Sequence, residues 1–336
     1  MVLPGLVGAL AAGLGGAGLE AVSSYAPPVV LPIGVAYTRS TDVPVVRVQV
    51  VGGPELRLVL DTGSTGVIVY QNRLSSMRGF EPTGYDFPGF SFADGTSLYG
   101  SAYYVRLRFG RDGPTSSEMP VEIASSLVCA TGTTCGTAQT EEGVGAYGVD
   151  GILGIGTETD SGGLPNPLRM LSPPYDRYWQ VSIAPAGVGG SLSLGTNPDS
   201  PSWEIPMRAL GVDHWGEEWR AVLQGCWTFK SADKWCVPTV LDTGTSALVL
   251  TGHPPGLLVV SAGGSDAIAV EDQGWTISLD DRVLVAQSTS ENYPVLVQHR
   301  GPDNISTVGV HALGGLTVGY NLAQGLITIV RTGPGQ

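Results

Sequence analysis

Leu58-Val59-Leu60-Asp61-Thr62-Gly63-Ser64-Thr65-Gly66-Val67-Ile68-Val69 decides how this chain is read, because its plan returns 181 residues later as Val240-Leu241-Asp242-Thr243-Gly244-Thr245-Ser246-Ala247-Leu248-Val249-Leu250. Each copy is an apolar run of β-formers, then Asp-Thr-Gly, then a hydroxyl residue, then a second apolar run. That pattern predicts a buried strand, a tight turn and another buried strand. Each turn presents one carboxylate. Gly63 and Gly244 let the backbone bend sharply, and the hydroxyls of Ser64 and Thr245, three positions after each acid, can reach back to it. One Asp-Thr-Gly would signify only a turn. Two copies in the same apolar setting point to a paired site.

The bulk composition agrees with strands and turns. Of 336 residues 49 are glycine and only 14% are charged, while small and β-branched residues dominate and sustained helical periodicity is absent. A chain this long can bury a large core, as one domain or as two lobes of about 150 residues. The net charge of −13 argues against a nucleic-acid partner, which would need clustered Lys and Arg. Cys129 with Cys135 and Cys226 with Cys236 form two close pairs without metal-ligand spacing. Two local disulfides in an oxidising, extracytoplasmic compartment are one use of them, and buried free thiols the other. His214, His253, His299 and His311 are dispersed, and there is no Gly-x-Ser-x-Gly, His-Glu-x-x-His or phosphate-cradling glycine motif.

Carried on these residues, the sequence resembles the pepsin-like aspartic proteases over roughly residues 36 to 332. The resemblance implies an all-β, bilobal fold with pseudo-twofold related lobes and a central cleft, divided here into 36–189 and 190–336. It implies that Asp61 and Asp242 are catalytic, that Thr62 and Thr243 cross-link the two turns, and that Ser64 and Thr245 orient the carboxylates beside Gly63 and Gly244. An apolar-apolar-Gly element should pack beside each turn. Asp150-Gly151-Ile152-Leu153-Gly154-Ile155-Gly156 fits the first, and Ala312-Leu313-Gly314 fits the second loosely. A flap hairpin should carry Phe92, Asp94, Gly95 and Thr96 near its tip, with Tyr103 to Phe109 as the returning strand, and Val59, Phe92 and Ile152 should line substrate pockets. The family's flap tyrosine falls at Phe92 and the tryptophan that bonds it at Ile68, so both polar partners are replaced together. Alternatively Phe92 belongs to the core and Tyr99 or Tyr103 serves the cleft.

Two carboxylates facing each other cannot both ionise cheaply and would share a proton around a water molecule, acting as acid and base on a peptide bond. The implied partner is a polypeptide in extended conformation, bound by a monomer without cofactor or metal. The rival reading is a pepsin-fold protein that binds proteins or glycans without cleaving them; a third is a structural or adhesive surface protein. Residues 1 to 35 are apolar and Gly/Ala-rich, and residues 1 to 37 contain no Lys or Arg. They read as a targeting remnant, a linker or a precursor piece, with no clear membrane span, and the protein as secreted or at the cell surface. Asn166 to Leu171 reads as a short surface helix. Trp203, Trp215, Trp219, Trp227 and Trp235 read as packing residues in preference to a sugar or lipid platform.

Overall fold

The computed structural model describes residues 27–37, 42–91, 97–128, 148–158, 163–185, 189–197, 200–229, 233–261, 266–269, 272–288, 295–298 and 305–332. The strands of the first part are β1 (Val29–Tyr37), β2 (Asp42–Val50), β3 (Glu55–Asp61), β4 (Thr65–Tyr70), β5 (Glu81–Ser91), β6 (Ser97–Val105), β7 (Leu107–Arg108), β8 (Met119–Val128) and β9 (Gly151–Ile155). Next come β10 (Tyr178–Ile183), β11 (Gly190–Leu194), β12 (Trp203–Pro206), β13 (Arg208–Asp213) and β14 (Gly216–Arg220). The rest are β15 (Leu223–Phe229), β16 (Trp235–Asp242), β17 (Leu248–Thr251), β18 (Val259–Ser261), β19 (Asp266–Ala269), β20 (Gly274–Leu279) and β21 (Arg282–Ser288). They end with β22 (Val295–Gln298), β23 (Ser306–Gly309), β24 (Leu316–Asn321) and β25 (Leu326–Arg331). The protein is all-β, and its only described helical pieces are single 3-10 turns at Gln71–Arg73 and Val310–Leu313.

Alternation along the strands builds the core. In β2, Val46, Val48 and Val50 are buried while Arg47 is exposed, as a period-2 pattern requires on a sheet with one covered face. Leu58 and Leu60 of β3 and Leu153 of β9 join the same core, whose largest buried side chains include Trp179 and Trp227. Trp203 is buried too, and Trp219 and Trp235 pack against this core, so Trp203, Trp219, Trp227 and Trp235 are packing residues. Trp215 is half-buried and donates from Nε1 to the Gly163 carbonyl at 3.1 Å.

One connectivity occurs twice. In the first part the order β2-β3-β9-β4-β8-β6-β5 places β9 between β3 and β4, parallel to the one and antiparallel to the other. The second part has β15-β16-β23-β17-β22-β19-β18, with β23 set between β16 and β17 in the same senses. The outer pairs also agree: β4 with β8 and β17 with β22 are both parallel. Between them runs a sheet of β12-β25-β24-β10-β11-β1, continuous with the first part because β1 pairs with β11 through Val29–Ile33 and with β2 through Gly34–Tyr37.

Strand structure begins at Val29, inside the segment 1–35 read as a targeting remnant, linker or precursor piece, and β1 completes two sheets. Two expectations change. The element beside the second turn is Thr307-Val308-Gly309, not Ala312-Leu313-Gly314: Asp242 registers with Gly309, as Asp61 registers with Gly154. Ala312 and Leu313 lie in the following 3-10 turn. Finally, Asn166 to Leu171 is a mostly buried turn and not a surface helix. Asn166 donates from Nδ2 to the carbonyls of Ile155 and Gly156 at 2.9 and 2.8 Å and accepts from Leu168 N at 2.8 Å, so its side chain ties the turn to the end of β9 and competes with the helix for the Leu168 N–H.

Candidate active site

Asp61 and Asp242 sit at the ends of β3 and β16, where each strand runs into its Asp-Thr-Gly turn. Each turn folds over the end of the neighbouring strand, and glycine is needed there: a Cβ on Gly154 would lie 2.9 Å from the Ser64 carbonyl, and one on Gly309 would lie 2.6 Å from that of Thr245. Backbone bonds of 2.7 Å from Gly156 N to Ser64 O and from Val310 N to Thr245 O close the two loops.

Within each turn the carboxylate is held on both oxygens. Gly63 N donates to Asp61 Oδ1 at 2.8 Å and Ser64 Oγ to Asp61 Oδ2 at 2.5 Å. In the second turn Gly244 N donates to Asp242 Oδ1 at 2.7 Å and Thr245 Oγ1 to Asp242 Oδ2 at 2.6 Å.

The two turns interlock. Thr62 Oγ1 donates to Leu241 O at 2.8 Å and Thr243 Oγ1 to Leu60 O at 2.7 Å, while each hydroxyl accepts the other threonine's backbone N–H, at 3.0 and 3.2 Å. This reciprocity brings each acid over the opposite glycine. A Cβ on Gly63 would lie 2.7 Å from both Asp242 carboxylate oxygens, and one on Gly244 would lie 2.6 and 2.8 Å from those of Asp61. Burial, then the charge of Asp242, pushes the Asp61 carboxyl well above the usual carboxylate range, and Asp242 is within hydrogen-bond reach of it.

A family model described as the PE-PGRS C-terminal aspartyl peptidase-like domain matches residues 31–206, more than half of the chain. The chain belongs to that family. No curated protein matches it. The match to the aspartyl peptidase-like domain takes in Asp61 with its turn and β9, and it ends before Asp242. The second acid is joined to the domain's first by the threonine cross-links just described.

Around the pair, the register Val59↔Ile152↔Ile68 lays three apolar side chains on one face of β3, β9 and β4. Ile68 and Ile152 pack with Leu164 and with Phe87, Phe90 and Leu98 of the β5–β6 hairpin, where Phe90 stands opposite Leu98. Val59 joins a smaller cluster with Ala36, Val45 and Val149. Ile68, where the resembled family has an indole, is thus an ordinary core residue of the domain, 2% exposed. Phe92, Asp94, Gly95 and Thr96 lie outside the described residues, as does the expected Cys129–Cys135 disulfide. Cys226 and Cys236 are disulfide-bonded, directly opposite each other on β15 and β16.

The sequence reading missed three supports. Asn166 pins the segment after β9, and its neighbour Leu164 packs so close to Gly66 that a Cβ there would fall within 3.0 Å of Leu164 Cδ1. The β13–β14 hairpin docks on the same segment: Thr157 Oγ1 donates to Trp219 O at 2.6 Å, and Arg220 makes a two-pronged pair with Glu158 at 2.8 and 2.5 Å. Tyr320 of β24 is buried behind the turns with its hydroxyl bonded to Thr62, and burial raises its pKa. The Asn166-Pro167 dipeptide was a readable turn signal. Nothing local marks Glu158, Arg220 or Tyr320, which meet their partners only through the fold.

Among the described residues no group of three or more His, Cys, Asp or Glu is placed to hold a metal ion, and no helix is long and apolar enough to cross a membrane.

Proposed function

We propose that this chain is an aspartic endopeptidase of the pepsin-like kind, hydrolysing peptide bonds with a water activated between Asp61 and Asp242. The observation that carries the reading is the reciprocal seating of each carboxylate over the opposite turn's glycine, with its own hydroxyl and backbone donors. Burial and mutual repulsion keep one proton on the pair. The ionised carboxylate takes a proton from the water as the oxygen attacks the carbonyl carbon, and the protonated one donates to the carbonyl oxygen. The tetrahedral intermediate collapses as a proton passes to the leaving nitrogen, so no acyl-enzyme forms.

Thr62 and Thr243 hold the two acids at a fixed separation, and Ser64 and Thr245 aim them. The substrate lies extended between the lobes, against Val59 and Ile152 and under the hairpin that carries Phe92 to Thr96. The lobes divide near residue 190, between β10 and β11. The protein acts as a monomer, secreted or at the cell surface, and the Cys226–Cys236 disulfide supports the extracytoplasmic location.

Digestion of denatured casein between about pH 3 and 5, the range a shared proton favours, tests the assignment. The expected result is cleavage that pepstatin blocks and that Asp61→Asn or Asp242→Asn lowers at least about 100-fold. Absence of pepstatin-sensitive cleavage at every acidic pH would leave the second reading, a non-cleaving binder of proteins or glycans. The apolar Phe92 and Ile68, where the pepsin-like proteases have the flap tyrosine and its tryptophan partner, favour that alternative.

A further inference from the structure

Away from the aspartate pair, the outer face of the first part of the sheet carries an open groove of about 650 Å3 lined by Arg47, Arg57, Arg108 and Arg111. These are four of the 17 basic residues in a chain of net charge −13, and Glu55 is the one carboxylate among the lining residues. The groove forms where β1 leaves the β2 edge to join β11, so Leu31 to Val35 make one wall and the β2–β3–β7 face makes the floor.

The arginines are gathered by register. Arg47 stands directly opposite Arg57 on β2 and β3, and Gln49 stands opposite Arg108 on β7. Like charges directly opposed across an antiparallel pair destabilise a sheet unless something neutralises them. Arg57 is fixed by donating to Val35 O at 2.7 Å and Gly148 O at 3.0 Å, two neutral acceptors that leave its charge uncancelled. Asp150, the nearby acid, receives the Arg57 backbone N–H at 2.8 Å instead. Arg47 pairs with Glu55 at 2.7 Å. Arg108 and Arg111 are exposed, and neither has an ion pair among the described residues.

We propose that this groove binds a compact, multiply charged phosphoryl group, free or as a lipid headgroup. Every cation in it is a guanidinium, whose planar fork pairs with two oxyanion oxygens at once, where an ammonium offers a point charge. Four guanidiniums against one carboxylate leave an excess of three positive charges, of which a single substrate carboxylate offsets one, a phosphomonoester about two, and a diphosphate more. Arg57 is already immobilised, so part of the ordering cost of binding is met in the free protein. The site is separate from the acid pair: Arg57 precedes Asp61 by four residues of one strand, about 13 Å of chain.

Calorimetric titration of the full chain with pyrophosphate at low salt is expected to show saturable binding that weakens as salt is raised. Arg108→Gln/Arg111→Gln should reduce the affinity at least about tenfold, the loss of charge-assisted bonds, with melting temperature and casein cleavage unchanged. Phosphatidylcholine vesicles with and without phosphatidic acid identify the source: co-sedimentation with the acid-bearing vesicles alone, abolished by the same variant, marks a headgroup site. Absence of both pyrophosphate and vesicle binding overturns the proposal. So does wild-type affinity in the double variant, or tighter binding of a polyglutamate peptide than of pyrophosphate, which would make the groove a polypeptide site. Asp61→Asn separates the two functions, since it leaves pyrophosphate binding intact whether or not the chain is a peptidase.

Discussion

Asp61 has an unusual environment for a carboxylate, 8% exposed and facing a second acid, and its behaviour with pH follows from that. Its folded pKa is above the ordinary 3.8, so the folded protein holds this proton more tightly than the unfolded chain does. The stability that this brings is fully present below the ordinary carboxylate range and is lost as pH rises through the raised value. Asp61→Asn removes the titration. The variant should therefore melt higher than the wild type at pH 7, by about 2–4 °C per kcal/mol of relieved repulsion and desolvation, and much closer to it at pH 3. Thermal unfolding at the two pH values measures this. An equal shift at both would mean that ionisation of Asp61 carries no such penalty.

Among the elements, the strand inserted between the two arms of each Asp turn does most to place the acids. β9 and β23 each carry a glycine level with the acid, Gly154 and Gly309, and the turn can close over them only because no side chain stands there. β16 has an additional brace in the Cys226–Cys236 bridge to β15, six residues before Asp242. Closing a loop of this length restricts the unfolded chain enough to contribute about 2–3 kcal/mol. Cys226→Ala/Cys236→Ala should lower the denaturant midpoint accordingly, with cleavage activity per folded molecule reduced but not abolished. The β13–β14 hairpin is held differently, since its Arg220–Glu158 pair is about one-third exposed on each side. Glu158→Gln should cost no more than about 1 kcal/mol in the same measurement.

For the whole molecule the decisive strand is β1, which serves two sheets at once. Val29 to Ile33 cover the edge of β11, and Gly34 to Tyr37 cover that of β2, so the central sheet and the first part share one ladder. Removing residues 1–37 would bare both edges and take the buried side chains of Leu31 and Ile33, 5% exposed each, out of the main core. The truncated protein should aggregate or unfold. A chain beginning at residue 27, which keeps both ladders, should retain the melting temperature of the full chain; calorimetry and light scattering on the two distinguish them.

Legibility followed the range of the interactions. Asp61, Asp242 and their hydroxyl partners could be read because an acid, a glycine and a hydroxyl within four residues make their own turn. The strands flanking Asp61 and Asp242 could be read from their apolar runs alone, and they recur in the fold as β3, β4, β16 and β17. Asn166 was misread because helix periodicity in the text carries no record of which carbonyls its side chain will meet. Gly309 was passed over for Gly314 because either glycine follows apolar residues, and only pairing with β16 chooses between them. The sequence by itself determined an all-β chain with two acid-bearing turns, since turn chemistry and period-2 burial are local. Only the tertiary structure decided that Thr62 reaches Leu241, that β1 joins two sheets, and that four arginines line one groove. Each of those contacts depends on register between strands far apart in the chain, and register is set by the packing of the whole.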